Sequence, residues 1–478
     1  MSQNSFVPPK RYEQEDGGRW TLGAKGRVIL KSGGAPWEEL AACVERLGEE
    51  ISIFAFAAQL RDVEPLAGDL AIQVAQAEEL SETETFGEGY VIRIGDAAQL
   101  IAQSVRGAFY GLRRIAELLE DGDLCRGTIV DWPDTAERGL HLDIGRKYYS
   151  QEWIAACIQD MSRMRMNTLW LHFSENEGFR IACDSHPEVP SLAHLTKAQV
   201  KELIRLANAH HIDVCPSLDC PGHLGQALQE HPRWQLPRKD GSRLHTALNI
   251  TDPDAKQFML DLLDEYMDLF AGSKMFHMGG DEFIDFRDLS PYPVMDAWAK
   301  EHLGPQYTGI DTYIQYLNEV AAHIRARGFQ VRVWNDGLYR SDVEQRLELD
   351  RDVQIAYWTS WDHGMASLQT FLDRGYQVVN YHADLLYYIL LIRNDYTDPS
   401  PERILAEWDP SLFPNNLPGN AIHGPQTVPP EQSDRLLGGC FSIWSDWPDL
   451  QDEDEVKQRS WGALNAMALR CWTWKQDH

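Results

Sequence analysis

The stretch "RGLHLDIGRKYYSQEWIAACIQDMSRMRMNTLWLHFS" (residues 138–174) holds two apolar runs of strand length around one helical pattern. "RGLHLDIG" reads as a strand. Ser150 is a helix-capping residue type, and apolar residues then recur at 154, 157, 158, 161 and 164, the spacing of one helix face. "NTLWLHFS" is a second strand. Strand, helix and strand in so short a span make a βαβ unit, whose strands run parallel.

The same rhythm continues toward the C-terminus. Thr196 with Gln199 forms a capping box for "KAQVKELIRLANAHH", and "IDVCPSLD" follows as a third strand. Asp252 and Pro253 supply a cap and a first-turn proline for a helix with its apolar face at 258, 259, 262, 263, 266 and 269. "KMFHMGG" is the fourth strand, a further helix closes near Gly328, and "QVRVWND", "VQIAYW", "YQVVNY" and "GCFSIWSD" complete eight. Alternation of that length predicts a (β/α)8 TIM barrel over residues 133–478. Residues 1–132 mix short strand-like runs ("GRVILKSG", "ISIFAFAA", "YVIRIGD") with helical patterns, the last being "AAQLIAQSVRGAFYGLRRIAELLED". They predict a small α/β accessory domain, with "DWPDTAERG" (131–139) as the boundary.

Composition narrows the function. The chain has 478 residues, 44 basic and 73 acidic, for a net charge of −29. No basic patch stands out to neutralise phosphates, which argues against nucleic acid or an anionic membrane as partner. No run reaches the roughly 18 apolar residues of a membrane span. The first 20 residues show no signal peptide, so cytoplasmic placement is expected, with a mature secreted form as the alternative. The eight cysteines are scattered without a CxxC pair and read as buried thiols.

In a parallel barrel the site lies at the C-terminal ends of the strands. Those ends carry Asp143 and Arg146, His172 with Glu175 and Asn176, Asp219 and His223, and Asp281 and Glu282. The later ones carry Trp334 and Asp336, Tyr357 and Trp358, Tyr381, and Trp444 with Asp446. Indoles and carboxylates together suit a pyranose, with C–H groups on its faces and hydroxyls around its rim. A lone Asp after a strand is commonly a helix cap, the reading favoured for Asp219 and Asp336. Asp219 with His223, or His172 with His277, could hold a metal, but no HxH or HExxH spacing occurs and no metal or cofactor is expected.

"MFHMGGDEFIDF" (275–286) poses the chemical question. Conventional glycosidase carboxylates flank a bond about 5 Å or more apart, whereas Asp281 and Glu282 are adjacent. Gly279 and Gly280 before them can carry the backbone out of strand geometry, so that both side chains enter one cavity.

These residues resemble the motifs of glycoside hydrolase family 20, the β-N-acetylhexosaminidases. "HMGGDE" is similar to the family signature, "RGLHLDIGRKY", "LHFSENEGFR", "DCPGH" and "YW" (357–358) to its strand motifs, and "GAFYGLRRIAELL" to the end of its accessory domain. The resemblance covers residues 85–450. It implies a retaining exo-β-N-acetylhexosaminidase acting on terminal GlcNAc or GalNAc of a glycan by substrate-assisted catalysis. The nucleophile is then the substrate's own acetamido oxygen, through an oxazolinium intermediate. Glu282 would be the general acid/base, a role that favours a pKa near the working pH. Asp281 would orient the acetamido group. Arg146 would bind the hydroxyls at C3 and C4, and Trp334, Trp358 and Trp444 would wall the pocket. Tyr387 would bond the acetamido oxygen, with Tyr388 and Tyr381 as alternatives and Ile389 where the family has Asp. Asp446 would stand in for a Glu that contacts the C4 or C6 hydroxyl. Asp219, His223 and His277 would support the acids. "WSD" (444–446) also resembles the subset containing lacto-N-biosidases, which release a disaccharide. A non-catalytic carbohydrate-binding barrel is the alternative of another class, and a homodimer is an open expectation.

Overall fold

The computed structural model describes residues 8–23, 26–55, 57–81, 83–120, 124–393, 396–415 and 423–476. Residues 1–7 and 477–478, at the outer edges of the two expected domains, and Asp121, at the end of an expected helix, lie outside them. The larger sheet has nine strands among the described residues, eight of them parallel strands of the barrel: Glu137–Asp143, Thr168–His172, Asp213–Cys220, Met275–Gly279, Gln330–Trp334, Gln354–Tyr357, Val378–Asn380 and Leu436–Trp444; the short Tyr387–Ile389 adds to the last of these. The eighth pairs with both the seventh and the first, which closes the expected (β/α)8 barrel.

The local signals that define its helices are physical and visible. The Ser150 side chain accepts from Trp153 N–H, Thr196 and Gln199 form a capping box, and Asp252 accepts from Asp254 and Ala255. Each helix then buries its apolar face: Ile154, Cys157, Ile158 and Met161 in one, and Phe258, Met259, Leu262 and Leu263 in another.

Alternate residues of each strand point into the barrel and stack in levels. At the base, the Arg332 guanidinium gives Glu137 two hydrogen bonds, at 2.7 and 2.6 Å, and Trp170 Nε1 gives a third at 3.0 Å. Above lies a cluster of imidazoles, with His141 centred 5.1 Å from His172 and 5.9 Å from His277. The mouth is carboxylate and indole.

Before the barrel, a seven-stranded mixed sheet runs from Arg11–Arg19 to Cys125–Asp131, with helices Trp37–Glu50 and Val105–Glu120 packed on it. Two local expectations fail here. Within "ISIFAFAA" residues 52–55 make a turn that plugs Phe54 into the core, Phe56 lies outside the described residues, and the strand starts only at Ala58–Arg61. "AAQLIAQS" opens with a strand, Ala98–Ala102, in which Ala98, Leu100 and Ala102 are buried. Its Ala, Leu and Gln favour helix, but pairing with Tyr90–Ile94 overrides that preference. The two units interlock: Arg138 of the first barrel strand pairs with Glu88 (2.5 Å), and Trp472 of the last barrel helix lies in the core of the first sheet. All eight cysteines are unpaired, and all but Cys125 are buried.

Candidate active site

The first strand ends in Asp143, whose carboxylate accepts from Arg146 N (2.9 Å) and Arg146 Nη1 (3.0 Å). Arg146 also reaches Glu175 Oε1 at 2.6 Å and Glu177 at 3.4 Å, and lies over the Trp444 ring at 5.7 Å. Glu175 is buried and turns its second oxygen to His223 Nδ1, at 2.9 Å. The opposite nitrogen, His223 Nε2, is 3.4 Å from both Asp281 Oδ2 and Glu282 Oε2. The adjacent acids therefore face one imidazole.

Backbone geometry explains how neighbours share a direction. Gly279 and Gly280 have φ of +74° and +94°, and Glu282 follows at +44°. A Cβ on Gly279 would come within 2.6 Å of Asp219 Oδ1, and one on Gly280 within 2.5 Å of Val333. Only glycine meets both demands. Asp336 Oδ2 accepts from Glu282 N–H at 3.0 Å, and its other oxygen accepts from Trp358 Nε1 at 3.2 Å. Asp336 thereby ties the acid-bearing turn to the aromatic wall.

That wall contains four rings. Trp334 is centred 6.4 Å from Trp358 and 6.1 Å from Trp444, and Tyr387 lies parallel to Trp358 at 6.0 Å and 5.6 Å from Trp444. Of the three candidate tyrosines only Tyr387 enters it. Tyr388, next on the short strand Tyr387–Ile389, turns away to Gln451 (2.8 Å), and Tyr381 sits lower, 4.8 Å from Trp334. Ile389 packs against the same aromatic cluster.

Other expected residues take different places. His277 is below the acids, accepting from Gly279 N–H (3.1 Å) with its ring 4.5 Å from Trp334. Asp219 is 3.8 Å from His172 and abuts Gly279, and no hydrogen bond joins it to Glu282. Neither Asp219 nor Asp336 caps a helix, the role the sequence favoured; both are buried at the mouth. Asp446 is exposed on the rim and feels the Arg146 charge. The sequence places Glu175 at a strand end and gives Asp219 and His223 together as support for the acids; in the structure it is Glu175 that meets His223. Only the presence of Glu175 three residues after His172 is visible in the sequence; its burial against His223 is not.

The charges are unequal. Burial pushes the Asp281 carboxyl well above its ordinary value; His223 opposes this, while Asp219, Asp336 and Glu282 add to it. A hydrogen bond from His223 holds Glu282 below the usual range despite burial of the carboxyl. Its side chain is 48% exposed, so screening weakens that shift. The direction opposes the expectation of a free acid poised near the working pH. Burial carries Asp219 and Asp336 each up to about 6. His223 is pushed down by burial, but Glu175 and Asp281 outweigh that and raise it. Asp281 Oδ1 is buried with no protein donor, an acceptor available to a ligand. Beside Glu282 opens a cavity of about 520 Å³, lined also by Asp336, Arg340, Trp361 and Asp362.

Carboxylates gathered beside a group of indoles at the C-terminal mouth of a parallel barrel make the architecture of a barrel glycosidase. Residues 136–475 match the family described as glycosyl hydrolase family 20, catalytic domain, and the chain belongs to that family. It is 26% identical to a lacto-N-biosidase of Bifidobacterium bifidum over 99% of this chain and 40% of that protein. It is 23% identical to a chitooligosaccharidolytic β-N-acetylglucosaminidase of Ostrinia furnacalis, over 93% of this chain and 77% of the other. The chain thus spans less than half the length of the first and about three quarters of the second. A β-N-acetylhexosaminidase structure from Bacteroides fragilis superposes with a TM-score of 0.75 at 21% identity, covering 97% of this chain and 89% of that one.

Proposed function

We propose that this protein is a retaining exo-β-N-acetylhexosaminidase that removes terminal β-linked GlcNAc from a glycan, using the substrate's acetamido oxygen as nucleophile. The observation carrying this reading is the convergence of Asp281 and Glu282 on His223. Two carboxylates so placed cannot attack one bond from opposite faces. They can serve neighbouring groups of one sugar. Asp281 Oδ1 accepts the acetamido N–H, orients its carbonyl toward C1, and stabilises the positive charge that grows on the forming ring. Glu282 protonates the glycosidic oxygen and later takes a proton from the attacking water.

The surroundings raise the Asp281 pKa and lower that of Glu282, the reverse of what this chemistry needs, and substrate binding reverses that order. A sugar over Glu282 strips water from a half-exposed carboxylate and raises its pKa. An acetamido N–H on Asp281 stabilises that carboxylate and lowers its own. Both changes favour a proton on Glu282 over one on Asp281, and His223 lies 3.4 Å from each.

Hydrolysis of an aryl β-N-acetylglucosaminide, with inhibition by a thiazoline that mimics the oxazolinium, tests the proposal. A folded protein that binds the thiazoline without turnover would instead be the non-catalytic carbohydrate-binding barrel. The match to a lacto-N-biosidase along 99% of the chain favours a second reading, release of a disaccharide. A β-linked tetrasaccharide separates the two: free GlcNAc supports the first, intact disaccharide the second.

A further inference from the structure

Away from the mouth, His186, Glu188 and His231 bring one ligand atom each to a single point. Glu188 Oε1 is 3.3 Å from His186 Nδ1 and 2.7 Å from His231 Nε2. Two ligands about 2.1 Å from a tetrahedral zinc ion stand roughly 3.4 Å apart, so small side-chain movements would admit the ion.

The surroundings resemble the outer shell of a metal centre. His186 turns its other nitrogen, Nε2, toward Asp261 Oδ2 at 3.6 Å; that nitrogen is buried and makes no hydrogen bond. A carboxylate behind a ligating imidazole fixes its tautomer and raises its basicity. Packing holds both rings: His231 stacks on Trp234 at 4.3 Å, and His186 meets Phe258 edge-on at 4.6 Å. Glu188 is 35% exposed, which leaves a solvent-facing position for water as the fourth ligand.

We propose that His186 Nδ1, His231 Nε2 and Glu188 bind a divalent ion of the zinc class, with Asp261 positioning His186. Two imidazoles and one carboxylate favour such an ion over magnesium or calcium, which prefer all-oxygen shells. Two inner clusters have similar spacing, His172–Glu175–Asp219 and His223–Asp281–Glu282. The first has the Arg146 guanidinium 2.6 Å from Glu175, and the second places its imidazole between three carboxylates, Glu175 included. The outer site joins the loop after the second barrel strand to the segment after the third, the two that also carry Glu175 and His223. The ion would staple these segments without entering the chemistry.

The test titrates the metal-stripped full chain with Zn²⁺ by calorimetry and follows its melting temperature. About one ion per chain should bind and raise the melting temperature, while Mg²⁺ does neither. Glu188→Gln, and His231→Phe, which keeps the stack on Trp234, should each abolish the binding and the thermal shift. Both should leave any metal-free glycosidase activity at the wild-type level, so the metal readout stands whether or not the proposed reaction is correct. His223→Asn should retain the binding. Co²⁺ should give the visible bands of a tetrahedral site in wild type and lose them in His231→Phe. Absence of saturable Zn²⁺ binding, its survival in both outer-site variants, or its loss in His223→Asn would overturn the proposal.

Discussion

Two arginines occupy the same barrel at opposite ends of its interior, and their surroundings differ in one respect. Arg332, at the base, is fully buried, meets Glu137 through two bonds and lies 4.5 Å over Trp170. That pair is balanced, one charge of each sign, and its hydrogen bonds are directed inward. Arg146, at the mouth, faces Asp143, Glu175 and Glu177 at once, with Asp446 acting on it from the rim. Acid is in surplus there, and the surplus continues through Asp219, Asp281, Glu282 and Asp336. A balanced buried pair specifies structure, because removing either partner strands the other. An unbalanced one splits its carboxyls, holding Glu282 low beside His223 while Asp219, Asp281 and Asp336 are raised, and favours an incoming positive charge. The difference separates scaffold from site without reference to any relative.

Substitutions at each end should break the comparison in different measurements. Glu282→Gln should lower kcat/KM by about 10²–10⁴-fold with an unchanged melting temperature, since it removes proton transfer alone. Arg332→Ala should do the reverse. It leaves Glu137 buried and uncompensated, at a cost of about 3–5 kcal/mol read by denaturant unfolding, while activity per folded molecule persists. Asp281→Asn should cost about 10²–10³-fold in kcat, the scale of losing one preorganised charge partner. Asp336→Asn should give the smallest effect, a displaced pH profile. Ionised Asp336 raises the Asp281 pKa, so neutralising it lowers that pKa, and the pair loses its shared proton at lower pH. The alkaline limb of kcat/KM should therefore move toward acid; an unmoved limb would remove Asp336 from the electrostatics of the pair.

The barrel was legible because its signals are local. Ser150, the Thr196–Gln199 box and Asp252–Pro253 mark helix starts that the chain uses as written. The accessory domain was less so. Ala98–Ala102 has a helical composition, and only its partner Tyr90–Ile94 makes it a strand, which is information a single segment lacks. The same limit appears in the site. The adjacency of Asp281 and Glu282 and the glycines before them can be read from sequence, whereas the placement of Glu175 rather than Asp219 against His223 depends on how two strand-end loops meet. Asp336 looked like a cap because a strand-end Asp usually is one. Its actual partners, Glu282 N–H and the Trp358 indole, come from two other strands.

The central claim is that Asp281 and Glu282 share one pocket because the substrate supplies the nucleophile. The most direct test is a series of aryl β-glucosaminides whose N-acetyl group carries zero, one, two or three fluorines. Each fluorine withdraws electrons from the acetamido oxygen and weakens it as a nucleophile. The account predicts a steep, monotonic fall in kcat/KM along the series, with aryl leaving group and pH held fixed. A rate independent of fluorination, or a 2-fluoro sugar trapped covalently on a protein carboxylate, would contradict it.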